Sequence, residues 1–347
     1  MTEAAVRAAF RLQAEWCRRL GSPFTGLLCD VAAERLTAEE EVGRRILGWS
    51  GNPEPSGDAL ALRFCGGLHF LVRSGRAPEL ARFYPAAPMP DAEPLWRAVR
   101  ATLRDHADGL LAWLERTPQT NEVGRSAVLM AGLLVAVAKF QRPLRLFELG
   151  ASAGLNLNLD RYRYDLGGRE AGDSGSPLQL SPEWKGVPPP AADIRLAGRT
   201  GVDLSPVDAR ADAQRLLAYV WPDQPQRLRQ LELALRLAAD DPPQVARGDA
   251  ADWLEAQLDE APQAGVIRTV FHSVAYQYFP PENQERIAAH VERVGAKASI
   301  EAPLAWLRFE KQPGDEKFSL RLRTWPDGED ALLAWSHPHG SSIRWLY

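Results

Sequence analysis

Cysteine is almost missing from this chain: three residues in 347, Cys17, Cys29 and Cys65, all in the first fifth. Odd in number and far apart, they form neither a disulfide framework nor the paired spacing of a zinc site. They read as small apolar core residues and point to a reducing, cytoplasmic setting. A surplus of one charge is missing too. The 41 basic and 45 acidic side chains leave a formal charge of −4, so neither nucleic acid nor an anionic membrane is an expected partner. Long apolar runs are absent from the start, where "MTEAAVRAAFRLQAEWCRRL" is broken by acids and arginines and reads neither as a signal peptide nor as a membrane span. Histidine is scarce, six in all, and "HPHG" brings only His337 and His339 together. With no third ligand nearby that pair reads as a turn before a last strand, and no metal is expected. What is there is a globular composition, 45% hydrophobic and 25% charged.

Up to about residue 140 apolar side chains recur at three- and four-residue steps, in "EAAVRAAFRLQAEWCRRL", "DALALRFCGGLHFLVRSG" and "LWRAVRATLRDHADGLLAWLERT". Breaks fall at "GSP", "GNPEPSG" and "YPAAPMPDAEP". "TNEVGRSAVLMAGLLVAVAKF" reads as a last buried helix with Thr120 or Asn121 as its N-cap. No strand is expected before Leu144. Beyond it, short apolar runs ("LRLFEL", "RTGVDL", "PQVARGD", "VIRTVFHSV", "AKASIEAPLAWL") alternate with helical patterns, as βαβ units require. "VDARADAQRLLAYV", "QRLRQLELALRLAAD", "AADWLEAQLDE" and "PENQERIAAHVERVG" are the helical ones. Pro326-Asp327-Gly328 marks a C-terminal antiparallel hairpin, followed by a strand in "SSIRWLY". The expected division is an all-helical cap domain over 1–118 and a mostly parallel α/β domain over 119–347, with a loop-rich insertion at about 163–200.

The stretch "LRLFELGASAGLNLNL", from Leu144 on, reads as strand, small-residue turn and helix, and it has two chemical readings. Gly150-Ala151-Ser152-Ala153-Gly154 fits the elbow of a serine hydrolase, with Ser152 as nucleophile and Asp249 and His272 or His337 completing the chain order. An elbow needs a sheet built upstream, and none is foreseen. The same residues fit a loop whose bare backbone lets a cofactor approach.

Glu148-x-Gly150-x-Ser152-x-Gly154 resembles the first motif of class I S-adenosylmethionine-dependent methyltransferases, with Ser152 in place of the middle glycine. "GVDLSPVDARADAQRL" is similar to their second motif, "VARGDAADWL" to the third, and "VIRTVFHSVAYQYFPPENQERIAAHVERVG" to the fourth strand, its loop and its helix. The resemblance implies a Rossmann-like sheet with S-adenosylmethionine across the Gly150–Gly154 loop, Ala151 included. It puts the ribose on Asp203 beside Leu204, and the adenine at Asp249 and the Ala250 N–H. Asn121 and Arg125 of "QTNEVGR" would cover the cofactor, with Arg125 on its carboxylate. Asp203 and Asp249 also read as plain helix N-caps. His272 and Tyr276, after the fourth strand, are the candidate base and its neighbour. "APELARFYP", "PQTNEVGRSAVL" and "LFELGASAGLNLNLDRYRY" are closer still to a bacterial family catalogued only as a domain of unknown function (DUF2332). The function expected is methyl transfer to a small molecule under a helical roof. A non-catalytic S-adenosylmethionine- or nucleotide-binding module, the Ser152 hydrolase and a nicotinamide-dependent oxidoreductase are the alternatives.

Overall fold

The computed structural model describes residues 2–85, 88–312 and 317–347. In chain order these form helices α1 (Glu3–Arg19), α2 (Pro23–Arg35), α3 (Glu41–Leu47), α4 (Leu60–Arg73), α5 (Pro78–Ala81), α6 (Ala92–Asp105), α7 (Ala107–Leu114) and α8 (Arg125–Phe140). Strand β1 (Leu144–Leu149) leads to a 3-10 turn over Leu155–Arg161 and to short strands β2 (Arg163–Leu166), β3 (Arg169–Gly172), β4 (Gln179–Leu180) and β5 (Glu183–Lys185). Then come β6 (Leu196–Asp203), α9 (Ala213–Ala218), α10 (Pro225–Asp240), β7 (Val245–Arg247), α11 (Ala250–Asp259), β8 (Ile267–Ser273) and α12 (Pro281–Gly295). Strands β9 (Leu304–Lys311), β10 (Phe318–Trp325), β11 (Asp330–Ser336) and β12 (Ser342–Trp345) end the chain. Among the described residues no helix is long and apolar enough to cross a membrane.

Two compact units result, 1–120 with 212–229, and 121–211 with 230–347. The first is helical around Phe10, Phe24, Leu28, Ile46, Phe64 and Leu68. All three cysteines are free and buried in it, with the sulfurs of Cys29 and Cys65 3.6 Å apart. The helical pattern over "LWRAVRATLRDHADGLLAWLERT" is divided at His106 (φ −128°) into α6 and α7. Segment 212–229, read from the sequence with the α/β half, joins these helices. His69 Nδ1 donates to the Ala218 carbonyl at 3.1 Å, and Asp223 accepts from the Phe24 N–H at 2.9 Å.

The second unit is built on a nine-stranded sheet, ordered β5-β12-β11-β10-β9-β8-β1-β6-β7. Strands β7, β6, β1, β8 and β9 are mutually parallel, and β9 to β12 run antiparallel to one another as the hairpin pattern predicts. Every residue of β8 is buried, as a strand covered on both faces requires. One face, with Phe147, Leu149, Val202, Val270 and Trp306, packs on Leu254 of α11 and on Ile287 and Val291 of α12. The other meets α8 closely. A Cβ on Gly132 would lie 2.5 Å from Leu307 Cδ1.

Two expectations change here, and a third gains detail. No α-helix follows Gly154. Leu155–Arg161 winds as a 3-10 turn, in which the carbonyls of Leu155 and Leu159 also accept the phenol hydroxyls of the buried Tyr162 and Tyr164, at 2.6 Å each. The loop-rich insertion at about 163–200 carries short strands: β3-β2-β4 form a small sheet, and β5 adds an outer strand beside β12. The α8 N-cap is Gly124, not Thr120 or Asn121.

Candidate functional site

Strand order reverses between β1 and β8: the chain leaves β1 for β6 on one side and later returns to β8 on the other. In open α/β sheets the crevice beyond the strand ends at such a point is where ligands bind. The turn after β1 is unusual there. Gly150 (φ 71°), Ser152 (φ 54°) and Gly154 (φ 70°) are all left-handed, a conformation uncommon for a residue other than glycine. Gly150 and Ala151 both donate their N–H to the Val202 carbonyl, at 2.9 and 3.0 Å. The Ser152 N–H donates to Asp203 Oδ2 at 2.9 Å, while Asp203 Oδ1 takes the Ser205 N–H at 2.8 Å. Asp203 therefore braces the turn from the end of β6. Leu204 next to it is exposed, its carbonyl accepting from Arg247.

The glycines answer to protein neighbours. A Cβ on Gly150 would lie 2.6 Å from that of Ala275, and one on Gly154 2.8 Å from Pro243. The sequence reading gave the small residues to a cofactor's approach; where their side chains would point, the β8 loop and the approach to β7 lie close as well.

Glu148 points to the face of β1 opposite Phe147 and Leu149 and is 2% exposed. Its Oε2 is buried with no hydrogen-bond partner. Burial pushes its carboxyl well above the usual range, and Asp203 adds to this, while a bond from Asn156 and the charge of Arg125 oppose it. Asn156 in turn accepts from the Ser126 hydroxyl at 2.7 Å. Arg125 donates to the carbonyls of Ser273 and Pro338, at 2.9 Å each, fastening the start of α8 to the end of β8 and to the turn before β12. Asn121 does not cap α8; its Oδ1 accepts the Leu155 N–H at 2.9 Å and so caps the 3-10 turn.

Asp249 is an N-cap, the plainer of its two readings. Oδ1 accepts from the Ala251 and Asp252 N–H groups, just past Ala250, and Oδ2 from Asn283 at 2.5 Å. His272 is buried and has a partner on each ring nitrogen. Trp306 donates to Nε2 at 3.2 Å. An indole N–H can only donate, so the imidazole proton is on Nδ1, 2.7 Å from Glu310 Oε1. That leaves no lone pair for the base role foreseen. Tyr276 stacks on His272 at 4.6 Å and gives its hydroxyl to the Gln284 carbonyl; burial pushes its pKa up to about 12. The hydrolase set with His272 is not assembled, because His272 pairs with Glu310 and Asp249 with Asn283.

Glu310 is the residue that sequence reasoning missed. Its Oε1 also accepts the N–H groups of Ala275 and Tyr276, at 3.1 Å each. This fixes a loop in which Val274 holds φ 52°, an outlier for a β-branched side chain. The strand-end acid pattern that singled out Glu148 and Asp203 applies to it as well, but the last parallel strand was read as ending at Leu307, three residues short of Glu310. Glu310→Ala removes the acceptor of three donors. At about 1 kcal/mol or more per buried orphan, we expect a loss of about 3 kcal/mol in denaturant unfolding.

Over residues 7–345 the sequence matches the family described as an uncharacterized protein conserved in bacteria, DUF2332. The chain belongs to this family. Neither the curated proteins nor the solved structures contain a match to it. Among the described residues of this DUF2332 chain no three His, Cys, Asp or Glu side chains are grouped to hold a metal. His337 and His339 lie in the turn between β11 and β12, where the His339 N–H donates to His337 Nδ1 at 3.2 Å.

Proposed function

We propose that the strand ends around the β1 turn bind S-adenosylmethionine and that the protein methylates a small-molecule nucleophile. The observation that carries this is the parallel order β7-β6-β1-β8-β9, third-second-first-fourth-fifth along the sequence of the parallel strands, with carboxylates where β1, β6 and β7 end against a left-handed turn. The residues present suit the group. Glu148 Oε2 lacks a partner, as a site for a ligand's ammonium would. Each Asp203 oxygen accepts one N–H and keeps a lone pair, two in all for two ribose hydroxyls. Asp249 retains one lone pair on Oδ2 for the adenine amino group.

When bound, the sulfonium supplies an already activated methyl group. The protein's share is then positioning of the two reactants. Asp203 orients the ribose, and the Glu310-held loop fixes the neighbouring wall. With His272 closed off, the acceptor brings its own lone pair. That closure is also what favours the second reading, a module that binds the cofactor without turning it over.

Titration calorimetry separates these. S-adenosylhomocysteine is expected to bind and NAD not to displace it; the absence of any S-adenosylhomocysteine binding rejects the proposal. Labelled S-adenosylmethionine that binds but passes no methyl to a pool of small metabolites selects the second reading.

A further inference from the structure

We infer that Glu148 carries a proton in the ligand-free protein and releases it to solvent when a cationic ligand group arrives, so that binding and proton release are linked. The inference rests on the S-adenosyl reading, whose amino-acid end brings an ammonium.

The geometry is that of a carboxyl with nowhere to put a charge. Glu148 lies within β1, 2% exposed, one oxygen served by Asn156 and the other buried without a partner. The charged and titratable groups that face it are few. Arg125 comes from α8, Asp203 from β6 and Tyr162 from the chain entering β2. Its strand partner on β8 is Phe271 and on β6 is Gly201, neither of which titrates. Arg125 favours ionisation, but two of its nitrogens are committed to carbonyls, and Asp203 opposes it. Burial without a compensating bond disfavours the charged form most of all, and the shift is upward for that reason.

An ammonium brought against Oε2 reverses the balance: it donates the missing hydrogen bond and supplies the opposing charge. The carboxylic acid becomes a carboxylate paired with the ammonium, and its proton passes to the buffer. Atoms and charge balance, and no other reactant is needed. By linkage, affinity rises about tenfold per pH unit while free Glu148 stays protonated.

The test is calorimetry of S-adenosylhomocysteine with the whole protein at neutral pH, in phosphate and in Tris, whose ionisation heats differ widely. Wild type is expected to show heats that differ by the release of about one proton. Glu148→Gln, isosteric with the neutral acid, is expected to bind at least tenfold more weakly with equal heats in both buffers. Equal heats in the wild type overturn the linkage and leave the cofactor reading standing. No binding in either buffer overturns both. Infrared spectra of the ligand-free protein give a check independent of any ligand: a protonated-carboxyl band present in wild type and lost in Glu148→Gln. Its absence from the wild type at neutral pH also overturns the proposal.

Discussion

Asp203→Ala is expected to weaken S-adenosylhomocysteine binding by about 100-fold or more. Two hydroxyl bonds to a charged acceptor contribute about 1.5 kcal/mol or more each, and every 1.4 kcal/mol is about tenfold in affinity. The loss has a second source. Without the carboxylate the N–H groups of Ser152 and Ser205 lose their acceptor, and Ser152 loses the bond that offsets its left-handed backbone. Asp203→Asn does not separate the two. It keeps one acceptor oxygen but turns an amide NH2 toward a backbone donor, so the turn suffers as much as the ligand does. Calorimetry beside thermal melting reads both effects. A binding constant within about threefold of wild type for Asp203→Ala ends the assignment of Asp203 to the ribose.

The second large effect is Gly150→Ala. A side chain at φ 71° costs about 1–2 kcal/mol, and the new methyl would lie 2.6 Å from the Ala275 Cβ, an overlap of the kind that adds about 1–3 kcal/mol. Ala275 has little room to retreat, since Glu310 holds its N–H. Gly75→Ala supplies the control: the same φ of 71° with nothing within 4 Å of the added carbon. Denaturant unfolding of the two isolates the packing contribution. Ala275→Gly in the Gly150→Ala background is expected to restore that part alone, and no recovery removes the loop-on-loop contact from the account.

Strands β1, β6, β7 and β8 fall where the sequence places them. Strands β1 and β8 were legible because buried strands read as apolar runs. The part-exposed β6 and β7 were legible from the acid that ends or follows each and the helical pattern beyond it. The turn after Gly154 was not. "LNLNLDRYRY" has no local signal that two tyrosine hydroxyls will take its carbonyls, since that choice depends on where β2 folds back. Strand β5 was hidden for the same reason: three residues gain their identity only from β12, more than 150 positions on. In the site, acids at strand ends could be found from pattern, while their roles could not. Asp249 looks the same in sequence whether it faces a ligand or Asn283, and His272 looks like a base until Trp306 closes its second nitrogen.

Arg125 gathers carbonyls 148 and 213 positions further along the chain. Contacts of such span are late events, since long loops must close before they form. A chain still being synthesised has its glycine turn long before the ribosome has made Pro338, and until then the head of α8 is without its far anchor. The link from the head of α8 to the turn before β12 thus forms only once Pro338 has been made, and a product cut short before it keeps the bond from Arg125 to the Ser273 carbonyl of β8 but not the second one.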